Sequence, residues 1–438
     1  MSWLNFLKHK PSLLKHQFGR GINANLADNE ENLYDRSTLA FENQNILQAY
    51  EYYFKSLINF SNDKSNNNII INKTKKRLNF ELYQGSARVS GYVTQEHLYA
   101  EAILTKKANT HVALKRYILE RNYQLTYANY FTDDTYIKLK LYLDNITMNP
   151  QKIFYPLREL VLNADFDKEY MRSEFSNVIL EDIQHLENIN EDELQIKYNF
   201  LQDWINELEN KISTLPSNDN AGMQSFLYLN ILFKIDYLIV PKYEIYQKIN
   251  KRVQSYFNNE NVSSEAKNEE LKLYIYKLQN MEFKDFRKKF YTSKYTYNPV
   301  EKTSQEEITN FINESLIKIR WYKNNRYNQI IETLYIYISF YILYNYGVNT
   351  VIKSLLHTLV EVYNPKYFKS LSYETLYDIE KKDFCKKLII SRVDGAIKAY
   401  QNRFKSLELF GNKLNFSSLN EFSNSYYLQI NELNFEEI

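Results

Sequence analysis

The chain has 438 residues, of which only 8 are glycine and 7 are proline. This scarcity of turn-forming residues excludes collagen-like repeats, glycine-rich phosphate loops and β architectures built from many tight hairpins. The 55 Lys and Arg residues are balanced by 53 Asp and Glu residues, and the resulting net charge of +2 argues against a protein that coats nucleic acid.

The first 40 residues are predicted to form an N-terminal arm. Residues 1–22 carry four basic residues and no acid, and Trp3 and Phe6 belong to an apolar side of this segment. Such a segment either rests on an anionic membrane surface or packs against the protein or a partner. Residues 23–42, in which Asn, Asp and Glu dominate, are expected to be irregular.

Alternating apolar and polar residues predict an antiparallel sheet in an α+β domain at residues 41–166. The expected order is a helix, three strands, a helix, two strands and a helix, within the bounds 41–60, 78–104, 109–122, 123–131, 135–144 and 151–165. Gly85 and Ser86 suit the first turn between strands, and Asn109 or Thr110 could cap the second helix. The helices should cover one face of this sheet and leave the other face available.

Beyond residue 166 the sequence predicts helices, and these form the larger, all-α part of the chain. A stripe with alternating spacings of four and three residues consists of Leu194, Tyr198, Leu201, Ile205 and Leu208. We interpret it as one side of a helical hairpin at residues 167–213, and the alternative is the seam of a homodimer. A linker at 214–222 leads to an all-α domain at residues 223–438, in which Ser304 and Glu307 form a capping box.

Two features of the chain bear on its location. The single cysteine, Cys385, forms no intrachain disulfide, so we predict a cytoplasmic protein. Residues 330–348 are the most apolar long window but contain Glu332 and five tyrosines, which favours a buried helix over a membrane span. The remaining route to a membrane is surface association through residues 1–22.

Catalytic and metal-binding motifs are missing from the sequence. The six histidines occur in no HExxH or Cys/His pattern, and no Gly-x-Ser-x-Gly is present. No metal or cofactor is therefore expected, and His357, on an apolar helix, is expected to be structural. The basic run at residues 73–77 is interpreted as solvated loop charge rather than as a nucleic-acid site. An enzyme would need a site assembled from dispersed residues of the α+β domain, namely Glu96, His97, Glu101, His111 and Asp133.

The order of elements in residues 41–166 is similar to the fold of type III secretion chaperones and the related YbjN-like bacterial proteins. The stretches that carry the resemblance are RLNFELYQGSARVSGYVTQEHLYAEAIL, HVALKRYILERNYQLTYANYF and TYIKLKLYLDNITMNPQKIFYPLREL. The resemblance implies a non-enzymatic domain that binds a partner segment along an apolar groove and often pairs as a dimer.

We therefore predict a non-enzymatic adaptor or chaperone-like scaffold that binds a protein partner in a bacterial cytoplasm. One alternative is an enzyme with the dispersed site described above. The other is a peripheral membrane component anchored by residues 1–22.

Overall fold

The computed structural model describes residues 16–19, 28–58, 68–175, 177–216, 220–297, 303–404 and 406–436. It confirms the predicted fold class, because an antiparallel sheet with helices precedes a larger helical part. Trp3 and Phe6 lie outside the described residues.

The described residues of the N-terminal part form four α-helices and a six-stranded sheet. Its helices are α1 (Asp28–Glu42), α2 (Ile46–Ser56), α3 (Val112–Gln124) and α4 (Pro150–Glu174). Its strands are β1 (Ile69–Lys73), β2 (Leu78–Gln84), β3 (Ala87–Val93), β4 (His97–Lys106), β5 (Asn129–Thr132) and β6 (Tyr136–Asp144). They are antiparallel in the order β1-β2-β3-β4-β6-β5, so β1 and β5 are the edges.

Two elements of this part contradict the sequence-based expectations. The sheet has six strands instead of the expected five, because β1 lies between the helix expected at 41–60 and the strands expected from residue 78. The expected irregular segment at 23–42 contains α1, which packs on α2 through small side chains and through Phe41, whose ring centroid lies 5.3 Å from that of Tyr50. Ser37 and Ala49 are fully buried, and the Ser37 hydroxyl donates to the Ala49 carbonyl over 2.9 Å. Small buried residues carry little hydrophobic signal, which is why the pattern of large apolar residues missed this helix.

The inner face of the sheet forms one core with α2 and α4. The Phe54 and Phe80 rings lie 4.5 Å apart at its centre. Gly91 lies opposite Phe80 in the pairing of β2 with β3, and the Phe80 ring occupies the space where a side chain would be. The helices can therefore pack against the sheet only because Gly91 has no Cβ.

The helical part consists of eleven helices in the described residues and one small ribbon. The helices are α5 (Glu191–Ser213), α6 (Ala221–Lys234), α7 (Tyr243–Asn258), α8 (Ser264–Gln279), α9 (Phe283–Phe286), α10 (Gln305–Asn324), α11 (Asn328–Asn345), α12 (Thr350–Tyr363), α13 (Pro365–Ser370), α14 (Lys386–Lys398) and α15 (Leu419–Asn431). A π-helical turn, Ile235–Ile239, continues α6, and the ribbon pairs β7 (Tyr377–Asp378) with β8 (Asp383–Phe384). The capping box of Ser304 and Glu307 is present at the start of α10.

The predicted helical hairpin at 167–213 differs from the structure. α4 runs on to Glu174, and the described residues between it and α5 contain no helix. α5 packs against α6 and α8, which follow it in sequence, instead of folding back on a preceding helix. The domain at 223–438, expected to be all-α, also contains the β7–β8 ribbon.

Residues Tyr291–Tyr297, which we call the strap, run from the helical part into the sheet. Tyr297 is fully buried in the sheet's core, and the Gly85 N–H donates to the Lys294 carbonyl over 2.8 Å. The Gln84 side chain accepts from the backbone N–H groups of Thr296 and Tyr297. These contacts cross the domain boundary predicted at residue 166, and that boundary stays a prediction.

The apolar window at 330–348 is a buried helix, as predicted. It coincides with α11, whose side chains from Ile330 to Ile342 lie mostly inside the core. Within the described ranges, none of the helices has both the length and the apolar character needed to cross a lipid bilayer.

His357 is a structural histidine, as its apolar helix predicts. Its Nδ1 lies 2.9 Å from the Tyr237 hydroxyl, and the side chain is buried in α12. Burial lowers the pKa of His357 to about 3, so the ring is neutral at neutral pH.

Replacement of Gly91 by Ala should destabilise the sheet. The new Cβ would lie 2.4 Å from both the Phe80 ring and the Tyr99 carbonyl oxygen, so the core would have to shift. We expect the free energy of unfolding in urea to fall by about 1–3 kcal/mol. The control Ser90→Ala, on the outward side of the same strand, should change it by less than about 0.5 kcal/mol. Equal stability of the two variants would contradict the packing described.

His357 should make the stability depend on pH. Between pH 6.5 and about 3 the unfolded chain binds a proton on this ring and the folded chain does not, so stability is lost as the pH falls below 6.5. From pH 7 to pH 5 the wild type should lose about 2 kcal/mol more than His357→Gln. Urea unfolding at both pH values measures this difference, and parallel losses in the two proteins would refute it.

Candidate functional site

The outer face of the sheet carries a row of aromatic side chains that we call the aromatic row. It consists of Tyr92, Tyr99 and Tyr142, which lie opposite one another on β3, β4 and β6, and of His97 beside them. The ring centroids of Tyr92 and Tyr99 are 5.5 Å apart, and those of His97 and Tyr142 are 5.2 Å apart in a stacked arrangement. Tyr142 is 64% exposed, and the other three members of the row are partly exposed.

Two cations lie over aromatic rings on the same face. The Arg77 guanidinium lies 3.7 Å from the centroid of the Tyr92 ring. The Lys140 ammonium lies 3.4 Å from the centroid of the Phe131 ring, which is 44% exposed on β5. Such contacts hold the rings and the long basic side chains in place on the surface.

The other basic residues of this face are paired with acids. Arg88 on β3 contacts Glu81 over 2.7 Å and Asp182 over 2.9 Å, and the Arg88 guanidinium lowers the pKa of Glu81. On β6, Lys138 contacts Glu101 over 3.0 Å and Asp133 over 3.1 Å. The outer face therefore combines aromatic rings with basic side chains whose charges are neutralised by neighbouring acids.

Asp133 belongs to the turn between β5 and β6. Its carboxylate accepts hydrogen bonds from the backbone N–H groups of Tyr136 and Thr135, and these bonds, together with Lys138, lower its pKa to about 2. A carboxylate held ionised in this way stabilises the turn and is a poor general base at neutral pH.

The five residues of the hypothetical dispersed catalytic site are brought together only in part. Glu101 and Asp133 share Lys138, whereas His97 belongs to the aromatic row and Glu96 is exposed in the turn between β3 and β4. His111 is the N-cap of α3, and its Nδ1 accepts from the Leu114 N–H over 3.3 Å. The cap expected at Asn109 or Thr110 therefore lies one or two residues later. Across the described ranges, no three His, Cys, Asp or Glu side chains are arranged to hold a metal ion.

The residues predicted as an interaction stripe lie inside the helical core. Leu194, Leu201, Ile205 and Leu208 are buried on α5, and the Tyr198 hydroxyl donates to the Met281 carbonyl over 2.8 Å. A dimer seam formed by these side chains would require α5 to leave the core.

Sequence reasoning missed a group of buried charges on α4. The helix expected at 151–165 continues to Glu174, so the acidic residues near position 165 lie within α4. The Asp165 carboxylate accepts from the N–H and the hydroxyl of Ser86, over 2.7 and 2.8 Å. Burial and the nearby Glu169 carboxylate raise the pKa of Asp165 to about 7.

Lys168 is the cation of this group. Its ammonium is fully buried and donates to the backbone carbonyls of Glu181, Asp182 and Ser86 over 2.9, 3.2 and 3.3 Å. Burial lowers the pKa of Lys168 to about 8. Perturbed pKa values occur at catalytic sites and in structural networks alike. The hydrogen-bond partners of Asp165 and Lys168 are backbone groups and the Ser86 hydroxyl of the same protein, which indicates that this group is a structural junction.

Among the clefts of the described helical part, one, of about 560 Å³, lies between α5, α6 and α8, and another, of about 290 Å³, lies on the opposite side of α6. Neither lining contains a histidine or cysteine among the described residues. The aromatic row is thus the surface feature with the most distinctive chemistry.

No family model matches this chain, and no curated protein matches it either. Its function is therefore argued from geometry and chemistry.

Proposed function

We propose that the protein is a non-enzymatic binding protein, an adaptor or chaperone-like scaffold, that contacts another protein through the outer face of its sheet. The observation that supports this proposal is the exposed aromatic row on a sheet whose inner face is fully packed. Tyrosine supplies a large contact area at a low cost in conformational entropy, which is why it is enriched in protein interfaces.

The charge of this face favours a protein partner over nucleic acid. Binding to phosphates needs unpaired Lys and Arg, because affinity comes from the release of counterions. Arg88 and Lys138 are instead neutralised by acids of the same surface. Arg77 and Lys140 lie over aromatic rings, as cations in protein interfaces commonly do.

The surroundings of the face support a sizeable interface. Among the described residues, 19 large hydrophobic side chains are exposed, and seven of them lie between Val112 and Ile146. Two of these, Phe131 and Tyr142, lie on the outer face itself, where they are 44% and 64% exposed. Concentrated exposed apolar surface of this kind marks interaction sites.

The two alternatives have weaker support. The acids and histidines of the dispersed enzymatic site do not converge, since His111 caps a helix and Lys138 neutralises Glu101 and Asp133. Membrane anchoring by residues 1–22 stays a prediction, because only residues 16–19 of that segment are described.

Site-specific photocrosslinking tests the proposed interface. A photoreactive phenylalanine analogue at Tyr142 should give a discrete protein adduct in the cells that naturally make the protein, because this side chain lies in the contact. Tyr155, which is 57% exposed on α4 and lies away from the outer face, is the matched control and should give none. Mass spectrometry identifies the adduct.

Equal crosslinking at the two positions, or none at either, would contradict a protein interface at the aromatic row. Adducts of Tyr142 with nucleic acid would contradict the choice of partner class.

A further inference from the structure

The segment His16–Gly19 packs into an aromatic pocket of the helical part. Phe18 is only 5% exposed. Its ring centroid lies 4.9 Å from that of His357, 5.2 Å from that of Phe368 and 5.9 Å from that of Tyr373. With Tyr237, whose ring stacks at 6.5 Å, these residues form what we call the Phe18 pocket.

Hydrogen bonds hold both ends of this segment. The Gly19 N–H donates to the Tyr237 carbonyl over 2.7 Å. That carbonyl is available because it lies in the π-helical turn at the end of α6, where the last carbonyls lack partners within the helix. At the other end, the His16 N–H donates to the Tyr373 hydroxyl over 3.1 Å, and His16 Nδ1 lies 3.2 Å from the same oxygen.

The geometry of the segment defines a short sequence requirement. Gly19 has a φ of +61°, a conformation that favours glycine, and it presents its N–H to the helix end. The residue before it supplies the buried ring, and His16 adds a polar contact with Glu193, whose carboxylate lies 3.9 Å from Nε2. The pocket is therefore matched to an aromatic residue followed by glycine, with histidine two residues before the aromatic.

We propose that the Phe18 pocket is a peptide-recognition site and that His16–Gly19 is its internal ligand. The contacts are those of a bound peptide: one ring buried in a pocket, main-chain hydrogen bonds and a polar residue at the rim. The four residues belong to no helix or strand, so side-chain burial and hydrogen bonds such as these hold them in place. The partner class is a peptide with the same His-x-aromatic-Gly pattern, which would displace the internal segment. This site is separate from the aromatic row, and its test is independent of the proposed function.

A peptide added to the full chain tests the proposal. The probe is a fluorescein-labelled peptide of residues 14–21, LKHQFGRG, titrated by fluorescence polarisation against Phe18→Ala and wild type. It should bind Phe18→Ala saturably and bind wild type at least about tenfold more weakly, because the attached segment competes at an effective concentration near the millimolar range. The peptide with Ala in place of Phe should bind neither protein. Gln17→Ala, which leaves Phe18 and Gly19 in place, is the matched control and should behave as wild type.

Absence of saturable binding to Phe18→Ala that is folded by circular dichroism would overturn the proposal, and so would equal binding to that variant and wild type. If Phe18→Ala cannot be obtained folded, Gly19→Ala replaces it, since a side chain at a φ of +61° strains the segment without emptying the pocket. Stronger peptide binding to Gly19→Ala than to wild type supports exchange. Equal binding shows that Phe18 is a fixed part of the core.

Discussion

The strap, residues Tyr291–Tyr297, is the contact on which the rest of the structure depends. It places Tyr297 in the sheet's core beside Phe154, with ring centroids 5.5 Å apart. The Thr296 hydroxyl donates to the Tyr83 carbonyl over 2.7 Å, and the Tyr291 hydroxyl donates to Glu169 on α4 over 2.5 Å. The strap, which is distant in sequence from the sheet, thus adds Tyr297 to the apolar core and adds hydrogen bonds to β2 and to α4. The sheet and the helical part should therefore depend on one another for stability.

This arrangement decides which surfaces are left for function. The inner face of the sheet is filled by α2 and α4, and the end of β2 is closed by the strap. Arg88, near that end, is tied to Asp182 from the segment that follows α4. What remains open is the outer face around Tyr99 and Tyr142. The buried charged residues of α4 lie at the end of the sheet that the strap closes. There they bond Ser86 and stabilise the fold instead of binding a ligand.

The sequence predicted correctly those strands and helix ends that have a regular pattern of neighbouring residues. The alternation from Leu78 to Leu104 gave β2, β3 and β4 near their true positions, and the capping box gave the start of α10. The strap was missed because it has no helical or strand pattern of its own and depends on distant partners. α1 was missed because part of its contact with α2 is made by the small side chain of Ser37, which carries little hydrophobic signal.

The candidate site was predictable only in part for the same reason. His97 and Glu101 were named from the sequence as chemistry-bearing residues of the sheet. The aromatic row, however, needs the pairing of β4 with β6, which brings Tyr99 opposite Tyr142 across a connection through α3 and β5. Phe18 lay in a predicted arm, and no local signal indicates that a distant part of the chain forms its pocket.

Hydrogen exchange of the full chain with Tyr297→Ala tests the coupling through the strap most directly. Removal of this buried ring should lower the opening free energies of β3–β4 and of α11–α12 together, by about 3–5 kcal/mol. Tyr123→Ala, at a side chain that is 93% exposed on α3, should leave both unchanged. Loss of protection confined to the sheet, with α11 and α12 still protected as in the wild type, would contradict the account.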